Sequence, residues 1–307
     1  MPDQKFYSNG KLMITSEYMV LEGALSLSVP LKIGQSMKVT KTENSLGKIF
    51  WSTFVKNKIW FYGIYNQKNL DIIESSNNET AVYIQNILKK AAEINNDIFN
   101  QKFSTIIKTD LDFLPNWGFG SSSTLISNIA YWINADPFTL LWKTSNGSGY
   151  DIACARENSP IIYKLKNDKP EYQQVDFKPE FSKNLYFIYL GKKQDSSLSI
   201  KQYKTKIENN KHKSLLITAL TLNIINSGSL DKFEYYINRH EKIMSEILNL
   251  PTIKSEKFND FNGSVKSLGA WGGDFIMASS EDDFNNVKDY FKRKACPIIF
   301  SYDELVL

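Results

Sequence analysis

Histidine and cysteine are almost missing from this 307-residue chain: His212 and His240 are its only histidines, Cys154 and Cys296 its only cysteines. Two cysteines do not make a disulfide framework, and a reducing compartment, the cytoplasm, is the expectation. Two histidines in separate segments exclude a histidine-rich metal site and argue against a Ser-His-Asp hydrolase. Any metal is then expected on oxygen ligands, which suits magnesium. Long apolar runs are also lacking, since no stretch approaches the roughly 20 residues of a membrane helix. The opening Met1-Pro2-Asp3-Gln4-Lys5 has no apolar core of a signal peptide. The net charge is only +4. That balance suits a small anionic substrate, whereas nucleic acid asks for a concentrated basic face. Neither nucleic acid nor membrane is expected as a partner.

What is present is ordinary globular material, 42% hydrophobic and 23% charged. A chain of this length buries about 75% of the surface its unfolded form exposes, enough for a sizeable core. The first third reads as strands: Lys11 to Ile14, Ser26 to Leu31, the run around Ser36 to Thr40, and Lys58 to Tyr62. Ser75 to Asn78 reads as a loop leading into a helix with Ile84, Ile87, Leu88, Ala91 and Ala92 on one face. A strand from Phe103 to Lys108 precedes a glycine-serine loop and a helix carrying Leu125, Ile126, Ile129, Ala130 and Ile133. Asp136-Pro137 is an N-cap and first helical residue. The polar stretch from Lys164 to Lys183 is the candidate domain boundary. Beyond it the pattern predicts a buried strand at Leu185 to Leu190. Two helices follow, one with Leu215, Leu216, Ala219, Leu220 and Leu222 on its apolar face, the other with Leu230, Phe233, Ile237, Ile243, Met244 and Ile247. The end reads strand, loop, strand, helix, strand from Val265 to Tyr302.

The segment with the most chemistry is Gly118-Phe119-Gly120-Ser121-Ser122-Ser123. Glycines permit positive φ and let backbone N–H groups approach an anion. A helix starting directly afterwards offers unpaired amides and the positive end of its dipole. The bland alternative is a serine-capped turn. No Gly-Lys-Ser/Thr closes the loop, so it is not a Walker A sequence.

Two more motifs frame it. Asn9-Gly10-Lys11 runs on to Ser16-Glu17-Tyr18-Met19-Val20-Leu21, and near the other end stands Lys266-Ser267-Leu268-Gly269-Ala270-Trp271-Gly272-Gly273-Asp274. In this order and over nearly the whole chain the three resemble the GHMP kinase superfamily. The resemblance implies an α+β protein with two lobes: an N-terminal α/β domain over 1–175 with a ribosomal-protein-like left-handed crossover, and a C-terminal ferredoxin-like domain over 176–307. It implies ATP and magnesium as cofactors, with Gly118, Gly120, Ser121, Ser122 and Ser123 on the nucleotide and Ser122 first among them on the metal. Lys11 matches the lysine near the transferred phosphate. Asp151, in Gly147-Ser148-Gly149-Tyr150-Asp151, matches the aspartate several members use as catalytic base, although an aspartate in a glycine-serine turn is common. Where some members carry a magnesium-binding glutamate shortly before that aspartate, this chain has Leu140. Asn9, Ser16, Phe119 and Trp271 also depart from the family pattern.

Gly272-Gly273-Asp274 and Glu17-Tyr18 resemble the phosphomevalonate kinase group. So does Gly191-Lys192-Lys193-Gln194-Asp195-Ser196-Ser197, which otherwise reads as a polar surface loop. The resemblance thus implies phosphoryl transfer from ATP to phosphomevalonate in isoprenoid precursor synthesis. It places Glu17, Tyr18, Lys192, Ser196, Ser197, Gly272, Gly273 and Asp274 on substrate, with a homodimer as a possible assembly. Mevalonate kinase, another family member, a related decarboxylase and a nucleotide-binding paralogue without turnover are the alternatives.

Overall fold

The structure, a computed structural model, describes residues 3–42, 46–99, 103–191 and 196–307, without the side chains of 196 and 197. The chain divides into two compact units. Met1–Gly10, Ile33–Pro115 and Phe119–Arg156 form the first; Lys11–Lys32, Asn116–Gly118 and Glu157–Leu307 form the second. Strands β1 (Gln4–Met13) and β2 (Ser26–Thr42) contribute residues to both.

In the first unit β3 (Lys48–Val55), β4 (Lys58–Asn66) and β5 (Ile72–Ser75) form an antiparallel meander. Helix α1 (Asn78–Ile94) then leads to β6 (Ser104–Leu111), which lies parallel to β3 and antiparallel to the second half of β2. The sequence of β3 shows why one face is covered. Trp51, Thr53 and Val55 are buried while Phe50, Ser52 and Phe54 are only half-buried, the period of two that a pleated strand imposes. Helix α1 lies against this sheet, where the Tyr65 hydroxyl donates to the Ala81 carbonyl at 3.3 Å. Its buried stripe is Ile84, Ile87, Leu88 and Ala91, and Asn77 caps it by accepting from the Thr80 amide. Helices α2 (Ser121–Trp132), α3 (Pro137–Thr144) and α4 (Tyr150–Ala155) complete the unit. Asp136 caps α3, its carboxylate accepting from the amide and the hydroxyl of Thr139 at 2.8 and 2.9 Å.

In the second unit Ser26–Ser28 of β2 pair with β7 (Ile161–Lys166), and β7 pairs with β8 (Lys169–Gln174). The two-residue turn Asn167-Asp168 has φ of 50° and 58°, the type I′ geometry that matches strand twist. Next come β9 (Leu185–Tyr189), α5 (Ser196–Asn209), α6 (Ser214–Ile225), α7 (Leu230–Leu248) and α8 (Ile253–Lys257). The last elements are β10 (Ser264–Leu268), β11 (Phe275–Ser279), α9 (Phe284–Arg293), β12 (Ile299–Ser301) and the short α10 (Tyr302–Leu305). The antiparallel sheet runs β10-β11-β9-β12, with helices between β9 and β10 and between β11 and β12. That is the split βαβ arrangement of a ferredoxin-like fold.

Two expectations change. The two separate strands expected at Ser26 to Leu31 and Ser36 to Thr40 are one strand of 17 residues. Pro30, which has no N–H to give, falls between the stretch that meets β7 and the stretch that meets β6. Helix α6 is where the pattern puts it, but turned: Ile217, Leu220, Thr221 and Ile224 are buried, while Leu215 is 79% exposed and Leu216 and Leu222 are exposed with it. A helix apolar nearly all round carries too little periodicity to say which side meets the core.

Gly34 marks the tightest packing of the first unit. Its N–H donates to Asp112 at 3.0 Å, and a Cβ there would stand 2.2 Å from the Ser8 carbonyl oxygen and 2.7 Å from the Tyr7 hydroxyl. Gly34→Ala is expected to lower stability by about 1–3 kcal/mol, as overpacking does, read from the midpoint of urea unfolding. An unchanged midpoint would show that β1 yields freely.

Candidate active site

The glycine-serine loop begins on a rigid anchor. Trp117 is 5% exposed, and its ring is surrounded by Tyr189, Phe275 and Phe300 at centroid distances of 6.1, 6.2 and 5.6 Å. The Tyr189 hydroxyl donates to the Asn116 carbonyl at 3.4 Å. Gly118 follows with φ 71°, in the left-handed region. Lys11, on β1, donates from Nζ to the Gly118 carbonyl at 3.2 Å. Asp274, the last residue of the third motif, lies over the same glycine: a Cβ on Gly118 would come within 2.1 Å of its Oδ2. The motif-one lysine, the first loop glycine and the motif-three aspartate therefore meet at one residue, although 263 positions separate Lys11 from Asp274 (274 − 11).

Beyond Gly118 the chain passes through Phe119, fully buried against Phe113 with ring centroids 5.6 Å apart. Gly120 has φ 87°, and α2 starts at Ser121. The three serines differ. Ser123 is 1% exposed and its hydroxyl donates to the Gly120 carbonyl at 2.8 Å, so it closes the loop. Ser121 is half-buried and Ser122 exposed. The Tyr83 phenol, from α1, lies near both Ser122 and the Asp151 carboxylate. Asp151 sits in the first turn of α4, behind Gly149 at φ 91°, and accepts from the Ile152 amide at 3.0 Å. Enclosure of the Tyr83 hydroxyl, with Asp151 adding to it, raises the phenol's pKa, although 40% of the residue is exposed.

Glu17 and Tyr18, expected on substrate, are spent on internal contacts. Glu17 is 1% exposed, and its Oε1 accepts a hydrogen bond from Lys266 Nζ, which also donates to the Ser267 carbonyl at 2.8 Å. Glu241, from α7, stands 3.9 Å from the same ammonium and accepts from the Ser267 amide and hydroxyl. His240 Nε2 accepts from the Ser16 amide at 2.9 Å. Burial, with Lys266 adding to it, holds that imidazole well below its usual pKa, so it stays neutral. Ser16 adopts a left-handed φ of 69°, the region glycine favours, and its hydroxyl donates to the Leu25 carbonyl at 2.6 Å. The Tyr18 hydroxyl accepts from the Trp271 amide at 2.9 Å, and burial pushes its phenol up to about 12.

In the third motif Gly272 has φ 72° and the Gly273 amide donates to the Ala270 carbonyl, so the pair forms a turn. The bulky Trp271 is 7% exposed, with Nε1 donating to the Pro251 carbonyl at 3.3 Å. Leu140 is a fully buried core residue of α3. Lys192 lies outside the described residues. Ser196 and Ser197 open α5, and their side chains lie outside the described residues as well. Sequence reasoning missed Glu241, His240 and Tyr83, and passed over Lys266. The one available signal was Lys266 itself, a lone charge in the strand Ser264–Leu268, every residue of which is buried.

No family model matches the chain, and no curated protein matches it. Solved structures do. Mevalonate kinase of Methanococcus jannaschii is similar at 16% identity over 97% of either chain, with a TM-score of 0.69. Phosphomevalonate kinase of Streptococcus pneumoniae, in complex with phosphomevalonate and AMPPNP, is similar at 17% identity over 98% of this chain and 99% of its own, TM-score 0.68. The chain has the GHMP kinase fold. Galactokinase of Lactococcus lactis, complexed with galactose, extends the likeness at 11% identity over 95% of this chain and 88% of its own, TM-score 0.67. Within the GHMP kinase fold as this chain builds it, no helix among the described residues is long and apolar enough to cross a membrane.

Two stability predictions follow from the buried cluster. Lys266→Met leaves Glu17 and Glu241 buried without their cation, and is expected to destabilise by about 3–5 kcal/mol in urea unfolding. A shift below 1 kcal/mol would mean that water reaches the cluster. Burial pushes Glu17 up to about 7 against the pull of Lys266. The folded state therefore holds a proton there that the unfolded chain has released, and Glu17's contribution to stability is present below about pH 4.5 and lost as pH rises through about 7. Unfolding midpoints between pH 4.5 and 7.5 should fall less steeply in Glu17→Gln than in the unsubstituted chain; parallel curves would contradict this.

Proposed function

We propose that this chain is an ATP-dependent kinase for a small anionic acceptor, with 5-phosphomevalonate as the acceptor of choice. The observation that carries the reading is the meeting of Lys11 and Asp274 at Gly118, ahead of a helix N-terminus that presents an exposed serine. Loop amides and the dipole of α2 hold the nucleotide's phosphates. The Lys11 ammonium offsets negative charge as the terminal phosphoryl group leaves ADP, a role that positioning and electrostatics dominate. The P–O bond to ADP breaks as a new P–O bond forms to the acceptor oxygen. A hydroxyl acceptor gives its proton to Asp151. An ionised phosphate acceptor has no proton to give, and Asp151 then serves to align it.

The donors present fit magnesium. Among the described residues no group of three or more His, Cys, Asp or Glu is placed to hold a metal ion. Magnesium needs no such cage, since it keeps several waters and binds substrate phosphates with one or two protein oxygens. Ser122 is exposed and Asp151 half-buried, both hard oxygen donors. Ser122 would hold the ion, which when bound neutralises charge on the phosphates.

The glycine-glycine-aspartate ending at Asp274 favours a phosphorylated acceptor over mevalonate. An ADP-release assay with mevalonate, phosphomevalonate, homoserine and hexoses tests the choice: turnover is expected with phosphomevalonate, and turnover with mevalonate alone transfers the assignment to a mevalonate kinase. Lys11→Met is expected to lower kcat roughly 10²–10³-fold, as loss of one charge-stabilising donor does. A folded Lys11→Met variant with full activity would sink the proposed role. Nucleotide binding without turnover on any acceptor would point to a binding protein on this fold.

A further inference from the structure

The sheet of the first unit has two unlike faces. On the inner face the hydroxyl of Thr124, in the first turn of α2, donates to Gln35 Oε1 at 2.7 Å. The next residue, Ser36, points the other way, because successive side chains of a strand alternate. On this outer face Ser36, Tyr62 and Lys108 are exposed. Strand register sets two rows across it. Ser36, Asp110 and Phe54 are partners on β2, β6 and β3; Lys38, Lys108 and Ser52 form the next row, about 7 Å along the strands. The pairing of β3 with β4 shifts between Thr53 and Phe54, a bulge of the kind found beside binding sites. A cavity of about 300 Å³ opens here, with Ser36, Lys38, Phe54, Asn57, Lys108 and Asp110 in its wall. Its size is that of a small-molecule pocket. All six residues belong to the first unit, and the cavity lies across the sheet from the start of α2.

Two charges in the wall lack a counterpart. Oδ1 of Asp110 is shut off from water and accepts no hydrogen bond. A buried acceptor without a donor is costly, the more so when charged. Lys38 is held by Asp3 at 2.6 Å, whereas Lys108 has no acid within ion-pair distance among the described residues. Phe54 adds a half-buried aromatic wall.

We propose that this cavity is a binding site for a guanine nucleotide, separate from the candidate active site. Its wall asks one molecule for a flat ring on Phe54, N–H donors for Asp110 and an anion for Lys108. Guanine carries neighbouring donors at N1 and N2 on one edge, and a carboxylate, which only accepts, takes both. The last torsion of an aspartate is soft, so both oxygens can turn to that edge. Adenine has a lone pair at N1, which the carboxylate repels. The guanine ring stacks on Phe54. The nucleotide's phosphate supplies the anion that Lys108 lacks.

The full chain, with a non-hydrolysable ATP analogue in excess to occupy the glycine-serine loop, is titrated with GMP, AMP and guanosine by calorimetry. GMP is expected to bind once per chain, and AMP at least roughly tenfold more weakly, the worth of a hydrogen bond to a charged group. Asp110→Asn exchanges one acceptor for a donor. It is expected to lower GMP affinity by about the same factor and to remove the preference over AMP. Lys108→Met should weaken GMP and leave guanosine unchanged, as a phosphate contact requires. Asparagine keeps the size of aspartate and Lys108 is exposed, so both variants should unfold at the urea midpoint of the unsubstituted chain. Absence of GMP binding, equal affinity for GMP and AMP, or GMP affinity untouched by Asp110→Asn overturns the site. So does competition between GMP and the ATP analogue, which would put GMP in the loop. None of these outcomes bears on the kinase reading.

Discussion

The ammonium of Lys266 is fully buried, and Glu17, Glu241 and the Ser267 carbonyl stand around it. Removing such a charge from water costs several kcal/mol unless its partners stay in place. Three segments far apart in the chain are thereby tied together: the turn after β1, the helix α7 and the strand β10. The turn is held further by neutral His240, which takes the Ser16 amide and so compensates a residue in left-handed geometry. Lys11 lies just upstream of this clamp and the turn Gly269 to Asp274 just downstream of it. Both arrive at Gly118 because the clamp leaves neither motif free to slide.

The loop itself divides its work among chemically similar residues. Trp117 is locked in a box of rings and gives the loop a fixed origin, while Phe119 drives the chain into the core two residues later. Between them a glycine is required, since the Asp274 carboxylate fills the place where a side chain would begin. Of the three serines, burial and hydrogen bonding commit Ser123 to the loop and leave Ser122 facing outward. Three identical side chains thus acquire different roles from helix geometry alone, because successive residues at a helix start point about 100° apart.

Much of this was legible beforehand. The helices α1, α2 and α7 follow their apolar periodicity, and Asp136-Pro137 caps α3 as the pair suggests. The strand and helix sequence after Asp274 predicted the end of a ferredoxin-like unit, and β11, α9 and β12 supply it. The loop stood out because glycine and serine are informative where backbone geometry is special. Less readable were the features that depend on partners distant in sequence. Nothing local tells α6 which face to bury, since Leu215 and Leu220 look alike until α7 is in place. Glu17 reads as a polar residue of a motif, and only the fold reveals it as the hydrogen-bond partner of a buried lysine.

What the sequence determined by itself was the set of local preferences: where glycine permits positive φ, where a helix begins, and which three motifs occur in which order. Each depends on a few neighbouring residues, so each can be read from a short window. Tertiary structure alone decided that Lys11 and Asp274 share one glycine and that Glu17 and Glu241 share one lysine. These are contacts across tens to hundreds of residues, and their geometry comes from packing a whole core rather than from the preference of any segment within it.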